Sequence, residues 1–216
     1  MSCWYCTHGY TNRCTNGGAS YGSQLLDGSQ AEYVRIPHAD GTLFPAPDGM
    51  DDKTLLMMSD IFPTGYYGVT RATSFFASES ESLDQTASTA EFKQQNISDS
   101  VFVIIGCGPV GLCAVLTARS KGVRHLYAVD TVDDRLEQAK RFGATPLNFE
   151  RDDIKQNILD ATEGRGADAV VEVVGNRAAL RSAYDLVRPC GFISSVGFHQ
   201  GDLPFTALEA YLKNLT

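Results

Sequence analysis

Val101-Phe102-Val103-Ile104-Ile105-Gly106-Cys107-Gly108-Pro109-Val110-Gly111 decides the fold of this 216-residue chain. Five apolar residues, four of them β-branched, read as a strand buried on both faces. The glycines follow as Gly-x-Gly-x-x-Gly, at the end of that strand and where a helix opens. Gly106 makes a tight turn, Gly108 lets backbone approach a pyrophosphate, and Gly111 lets helix and strand pack closely. The helix N-terminus offers N–H groups and the positive end of its dipole to phosphates. Pro109 is tolerated there, because N–H groups of the first turn have no intrahelical partner. Val110 completes the turn. A Walker A loop is excluded, since no Gly-Lys-Ser/Thr follows.

Outward from this stretch the pattern repeats. The first helix stops at Gly122, and Leu126 to Asp130 forms a second strand before a helix over Asp133 to Phe142. Ala144 to Phe149 reads as a third strand, Asp152 to Thr162 as a helix, and Ala167 to Val174 as a buried strand. A helix over Ala178 to Val187 and a strand over Phe192 to Val196 close the series. Nearly continuous apolar strands alternating with helices predict an α/β fold, a doubly wound parallel Rossmann sheet. Asp130 ends the second strand, where a carboxylate accepts from ribose hydroxyls and repels a 2′-phosphate, so NAD is favoured over NADP. The alternatives are a methyltransferase-type nucleotide site and a Rossmann sheet kept only as scaffold.

The rest of the chain has a different texture. Gly and Asp-Gly turns, three prolines and the alternating run Ala31 to Ile36 predict strands and turns through residue 70. A helix is expected from Asp51 to about Met58. Residues 71–100, rich in serine, read as a solvated linker or insertion, with a short helix over Thr89 to Gln95. Acids outnumber bases 26 to 18, leaving a net charge of −8. That balance argues against a nucleic-acid or anionic-membrane partner. No apolar run approaches the roughly 18 residues of a membrane span, and the N-terminus carries no secretory pattern. A cytoplasmic protein is expected. Cys107, Cys113 and Cys190 read as small buried apolar residues. Cys3, Cys6 and Cys14 cluster as metal or redox residues do.

Cys3-x2-Cys6-x7-Cys14 supplies three thiolates where tetrahedral zinc takes four ligands. With the Rossmann half behind it, the pattern resembles the zinc-containing medium-chain alcohol dehydrogenase family, closest in motif to its formaldehyde and glutathione-independent branch. The resemblance implies a structural zinc on Cys3, Cys6 and Cys14, with the first ligand one residue before Met1. It implies that the chain is truncated at both ends, with part of a β-rich GroES-like catalytic domain over 1–70 and a C-terminally incomplete Rossmann domain over 101–216.

Further stretches carry the resemblance. Gln30 to Pro37 is similar to a strand leading towards the family's active site. Ser59-Asp60-Ile61-Phe62-Pro63-Thr64-Gly65-Tyr66 is similar to the segment holding the last catalytic-zinc ligand, which implies Asp60 as that ligand and Thr64 against the nicotinamide. Val174-Gly175 and Val196-Gly197-Phe198 are similar to the strand ends that hold the nicotinamide half. The other implied ligands, a cysteine and a Gly-His-Glu histidine, have no counterpart here, and His8 and His38 read as loop residues. The implied activity is hydride transfer between an alcohol or aldehyde and NAD, with zinc. The rivals are a non-catalytic dinucleotide-binding module and a zinc-free quinone-type reductase. A homo-oligomer, dimer or tetramer, is expected of the full-length protein, paired through a strand near Phe198 to Phe205.

Overall fold

The computed structural model describes residues 2–16, 19–82 and 96–216, and side chains of all these except 77–82. The chain divides into two compact units, Met1–Asp51 and Asp52–Thr216. The boundary therefore lies nearer the N-terminus than the one expected at residue 70.

The first unit holds two short helices, α1 (Trp4–Thr7) and α2 (Ala39–Thr42), and a 3-10 turn at Thr11–Arg13. Its one β-bridge among the described residues joins Ser23 to Leu26. The expected strand at Ala31 to Ile36 is not formed, and its residues are mostly exposed. Alternation alone does not make a strand: its N–H and C=O groups need a ladder partner, and among the described residues of this unit no neighbouring run supplies one.

The second unit opens with α3 (Asp52–Met58) and the long helix α4 (Ile61–Ser82). The helix α4 runs well into the stretch expected to be a solvated linker. It does so because Val69, Ala72, Thr73 and Phe76 recur at helical spacing and are buried. The expected helix at Thr89 to Gln95 lies outside the described residues.

Then come β1 (Val101–Ile105), α5 (Pro109–Ser120), β2 (His125–Asp130), α6 (Asp133–Arg141), β3 (Thr145–Asn148), α7 (Ile154–Ala161), β4 (Ala167–Glu172), α8 (Arg177–Leu186), β5 (Val187–Ser195) and α9 (Ala207–Lys213). The sheet order is β3-β2-β1-β4-β5, with every pairing parallel. The doubly wound sheet expected from sequence is thus present. Alternate residues of β1 serve opposite faces. Phe102 and Ile104 pack with Val69, Phe76, Val115 and Leu126, while Val103 and Ile105 pack with Ile154, Ile158, Ala183 and Leu186. Both faces are covered, which is why β1 reads as an unbroken apolar run. Each such side chain, fully buried, contributes about 1.5–3 kcal/mol.

The glycines of α4 set how closely it approaches the sheet unit. A Cβ on Gly65 would lie 2.6 Å from the Val110 carbonyl oxygen and 2.9 Å from the Ala114 nitrogen. One on Gly68 would meet Val171 and Val196 side chains at 3.2 Å. Backbone cannot yield as a flexible side chain does, so Gly65→Ala is expected to push α4 off α5 and cost about 1–3 kcal/mol. A melting temperature unchanged by this substitution, measured by circular dichroism, would refute that packing account.

No strand forms over Phe198 to Phe205, which holds Gly201 and Pro204 and bends through irregular structure. Instead Thr216 runs beside β5, accepting from Ile193 N–H at 3.0 Å and donating to the Gly191 carbonyl at 3.4 Å. Cys107 and Cys113 are buried as expected, whereas Cys190 is exposed. Cys190 takes a φ of 55° where β5 bulges between its pairings with Ala167 and Ala169, and both it and Pro189 are exposed there.

Candidate dinucleotide and zinc sites

The strand order reverses between β1 and β4, where chain connections leave in opposite directions and open a crevice at the strands' C-terminal ends. A cleft of about 380 Å³ lies there, lined by Gly106, Gly108, Val110, Gly111, Asp130 and Val174 among others. Gly106 carries a φ of 98°, and a Cβ on it would lie 2.7 Å from Val174 Cγ2. A Cβ on Gly111 would fall 1.8 Å from the Gly106 carbonyl oxygen, so only hydrogen fits. A Cβ on Gly108 would meet nothing within 4 Å. The first and third glycines are thus required by the protein itself, and the second opens onto space a ligand can use. Gly108 also precedes the first turn of α5 and accepts from Leu112 N–H at 2.9 Å, which starts the helix.

Asp130 ends β2 with its side chain nearly buried. Its Oδ2 accepts from Cys107 N–H at 2.7 Å, and its Oδ1 accepts from Thr131 and Val132 N–H at 2.8 and 2.9 Å. The carboxylate therefore pins the glycine turn as well as facing the cleft. Arg135 stands 3.8 Å from Oδ2, half exposed. Burial pushes the Cys107 thiol up to about 12, so this cysteine is inert packing.

The residues that the resemblance assigns to the nicotinamide half come together on a second pair of turns. A Cβ on Gly197 would lie 2.2 Å from the Gly175 nitrogen, and one on Gly175 would lie 2.6 Å from the Phe198 nitrogen. The ends of β4 and β5 therefore touch backbone to backbone, with Val174 and Phe198 exposed beside them. Sequence reading missed what lies beneath. Glu172 is fully buried, and its carboxylate accepts from Val174 and Gly175 N–H at 2.8 Å each. Its one sequence-level signal was an acid as the last residue of an apolar strand.

Asp60 stands just before α4, and its Oδ1 accepts from the Thr64 hydroxyl at 2.7 Å. The two expected catalytic residues thus meet, one turn before Gly65 and Gly68. Those glycines touch the fingerprint helix and the Val196 side chain, so the start of α4 faces the same end of the sheet as the cleft.

In the first unit the sulfurs of Cys3, Cys6 and Cys14 all lie within 4.8 Å of one another. A tetrahedral zinc with Zn–S bonds near 2.3 Å holds its sulfurs about 3.8 Å apart, so the three thiols fit the ion. Backbone N–H donation from Thr15 and Cys6 holds the Cys3 thiol down at about 6. Desolvation and the neighbouring thiols push Cys6 up to about 11. Asn16 N–H donates to Cys14 Sγ at 3.4 Å. His8 and His38 are exposed, outside this cluster.

A model of the family described as zinc-binding dehydrogenases matches residues 109–216, from the fingerprint helix onward. The chain belongs to the zinc-binding dehydrogenase family. Among its relatives, the zinc-type alcohol dehydrogenase B of Aspergillus flavus is 46% identical over 99% of this chain and 46% of its own length. The medium chain reductase/dehydrogenase ucsI of an Acremonium species is 44% identical over 97% of this chain and 66% of its own. Among solved structures, alcohol dehydrogenase TADH from Thermus sp. ATN1 superposes with a TM-score of 0.80 at 29% identity. It is matched over 100% of this chain and 58% of its own. The chain spans about half the length of several curated relatives it matches. The family's cofactors are zinc and a nicotinamide dinucleotide. Among the described residues, no helix is long and apolar enough to cross a membrane.

Proposed function

We propose that this chain is the NAD-binding and structural-zinc portion of a zinc-dependent alcohol or aldehyde dehydrogenase, working in the cytoplasm as a homo-oligomer. The observation that carries the reading is the cleft at the β1/β4 reversal, with Gly108 open towards it and Asp130 at its rim. When bound, the dinucleotide supplies the hydride acceptor and zinc the Lewis acid for the alcohol oxygen.

The residues of the chain bind and orient. N–H groups at the start of α5 face the pyrophosphate, and Gly108 lets it approach. Asp130 has three acceptor positions engaged by backbone N–H groups, and a carboxylate offers about four, so capacity for a ribose hydroxyl remains. Its charge repels a 2′-phosphate. The turns at Val174-Gly175 and Val196-Gly197-Phe198 bracket the nicotinamide half, with Thr64 against it and Asp60 as one catalytic-zinc ligand. Six free thiols suit a reducing compartment. Exposed Phe198, Leu203, Leu208, Tyr211 and Leu212 suit a subunit contact.

Asp130→Ala tests the cofactor assignment. It removes an acceptor and a repulsive charge while leaving Arg135 as a cation that a 2′-phosphate can use. NADH is expected to bind roughly tenfold more weakly and NADPH more tightly than in wild type, a change worth about 1.4 kcal/mol for each tenfold. An unaltered NADH:NADPH preference, read by fluorescence titration, would sink the assignment.

A further inference from the structure

Glu172 and Asp168 are both fully buried acids on β4, at opposite ends of the strand. At the N-terminal end, Asp168 accepts from Val101 N–H at 2.7 Å and from Arg188 Nε at 2.6 Å. It is a clamp across the floor of the sheet, paired by a cation. At the C-terminal end, Glu172 receives no Arg or Lys among the described residues. Oε1 accepts from Val174 and Gly175 N–H at 2.8 Å each. Oε2 accepts from the Ser195 hydroxyl at 2.9 Å and lies 2.8 Å from His199 Nε2. Ser195 pairs with Glu172 in the β4–β5 register, while His199 comes from the irregular segment beyond β5.

A Ser-His-Glu grouping invites a nucleophile reading, and the geometry excludes it. The same nitrogen, Nε2, faces both Glu172 Oε2 at 2.8 Å and Ser195 Oγ at 2.9 Å. A relay needs the acid on one ring nitrogen and the hydroxyl on the other. Ser195 also donates its hydroxyl hydrogen bond to the carboxylate. What the cluster does is join two turns. One carboxylate ties the β4 turn through Oε1 and the β5 turn through Oε2. Gly197 sits above it, where a Cβ would be 3.0 Å from Oε2 and 2.2 Å from the Gly175 nitrogen. Shared burial of one acceptor therefore fixes the separation of Val174-Gly175 from Val196-Gly197.

We infer that Glu172, Ser195 and His199 are positioning residues for the nicotinamide half of the dinucleotide, with His199 holding the segment after β5 against the sheet end. This rests on the dinucleotide reading above. His199 acts through the backbone turns, not on the reacting atoms. The prediction is selective. Removing His199 loosens the nicotinamide half and leaves the adenosine half, built on Gly106 to Gly111 and Asp130, intact. Glu172 keeps three donors in that variant, so the fold survives.

The test uses the whole chain with NADH and with ADP-ribose, which lacks the nicotinamide ring. In wild type both bind, NADH the more tightly. His199→Ala is expected to weaken NADH roughly tenfold, the order of one charge-assisted hydrogen bond, with ADP-ribose and the melting temperature unchanged. His199→Gln, whose amide can donate to Oε2, should recover most of the loss, and Ser195→Ala should show the same selectivity more weakly. Equal weakening of both ligands, or no weakening of NADH, or no recovery by glutamine, overturns the inference. Wild type that binds ADP-ribose and NADH equally also overturns it. Wild type that binds neither overturns the dinucleotide reading itself.

Discussion

Gly111→Ala should reduce NADH affinity about 100-fold, equivalent to about 2.7 kcal/mol, and also destabilise the fold. The added Cβ would sit 1.8 Å from the Gly106 carbonyl oxygen and 2.8 Å from its carbon, both backbone. No rotamer relieves that. Either α5 withdraws from β1 or the glycine turn opens, and both displace the N–H groups aimed at the pyrophosphate. Overpacking of this kind costs about 1–3 kcal/mol of stability, which is about 2–12 °C in melting temperature for a unit this size. Gly108→Ala is the informative companion. Its Cβ meets nothing within 4 Å, and its φ of −67° suits alanine. The melting temperature should stay put while NADH binding falls, because the methyl group enters the space through which the pyrophosphate approaches. Titration and thermal melts of both variants separate the roles. Gly111→Ala binding NADH within threefold of wild type would refute the turn geometry.

The second large effect concerns metal. The chain as purified from zinc-replete cells should hold about one zinc through Cys3, Cys6 and Cys14, and Cys6→Ser should lower that to near none. The thiols are held together by local structure: α1 carries Cys6, the turn after Arg13 carries Cys14, and Cys3 precedes α1. Cobalt substitution gives an independent readout, since thiolate-to-cobalt charge transfer requires sulfur ligands. On the reading proposed above, zinc bound here would be structural and is expected to bring no alcohol oxidation to residues 1–216. The cysteine and Gly-His-Glu histidine that would join Asp60 have no counterpart in this sequence. Zinc content indifferent to Cys3→Ser, Cys6→Ser and Cys14→Ser alike would remove the cluster from the account.

The Rossmann half was legible because its constraints are local. Burial on both faces makes β1 and β4 apolar runs, and the steric demands at Gly106 and Gly111 leave only glycine. The helix α4 was not legible for the opposite reason. Its close approach to α5 and the sheet is made at Gly65 and Gly68, which carry no hydrophobic signal, and its buried Val69, Ala72 and Phe76 stand among threonines and serines. Serines further along it made the stretch look solvated. The Glu172–His199 contact joins residues 27 apart in sequence through the register of β4 and β5, and no local pattern encodes it. Asp60 was readable only by resemblance, since its bond to Thr64 is what any helix-leading acid could make. Ala31 to Ile36 misled because alternation reports a half-buried strand only where a ladder partner exists.

Titration of the wild-type chain with NADH and NADPH, followed by nicotinamide fluorescence, tests the central claim most directly. A dinucleotide seated at the β1/β4 crevice with Asp130 at the adenosine ribose predicts saturable binding of NADH, about one per chain, and markedly weaker binding of NADPH. NADPH binding as tight as NADH, or no saturable binding of either, would contradict it.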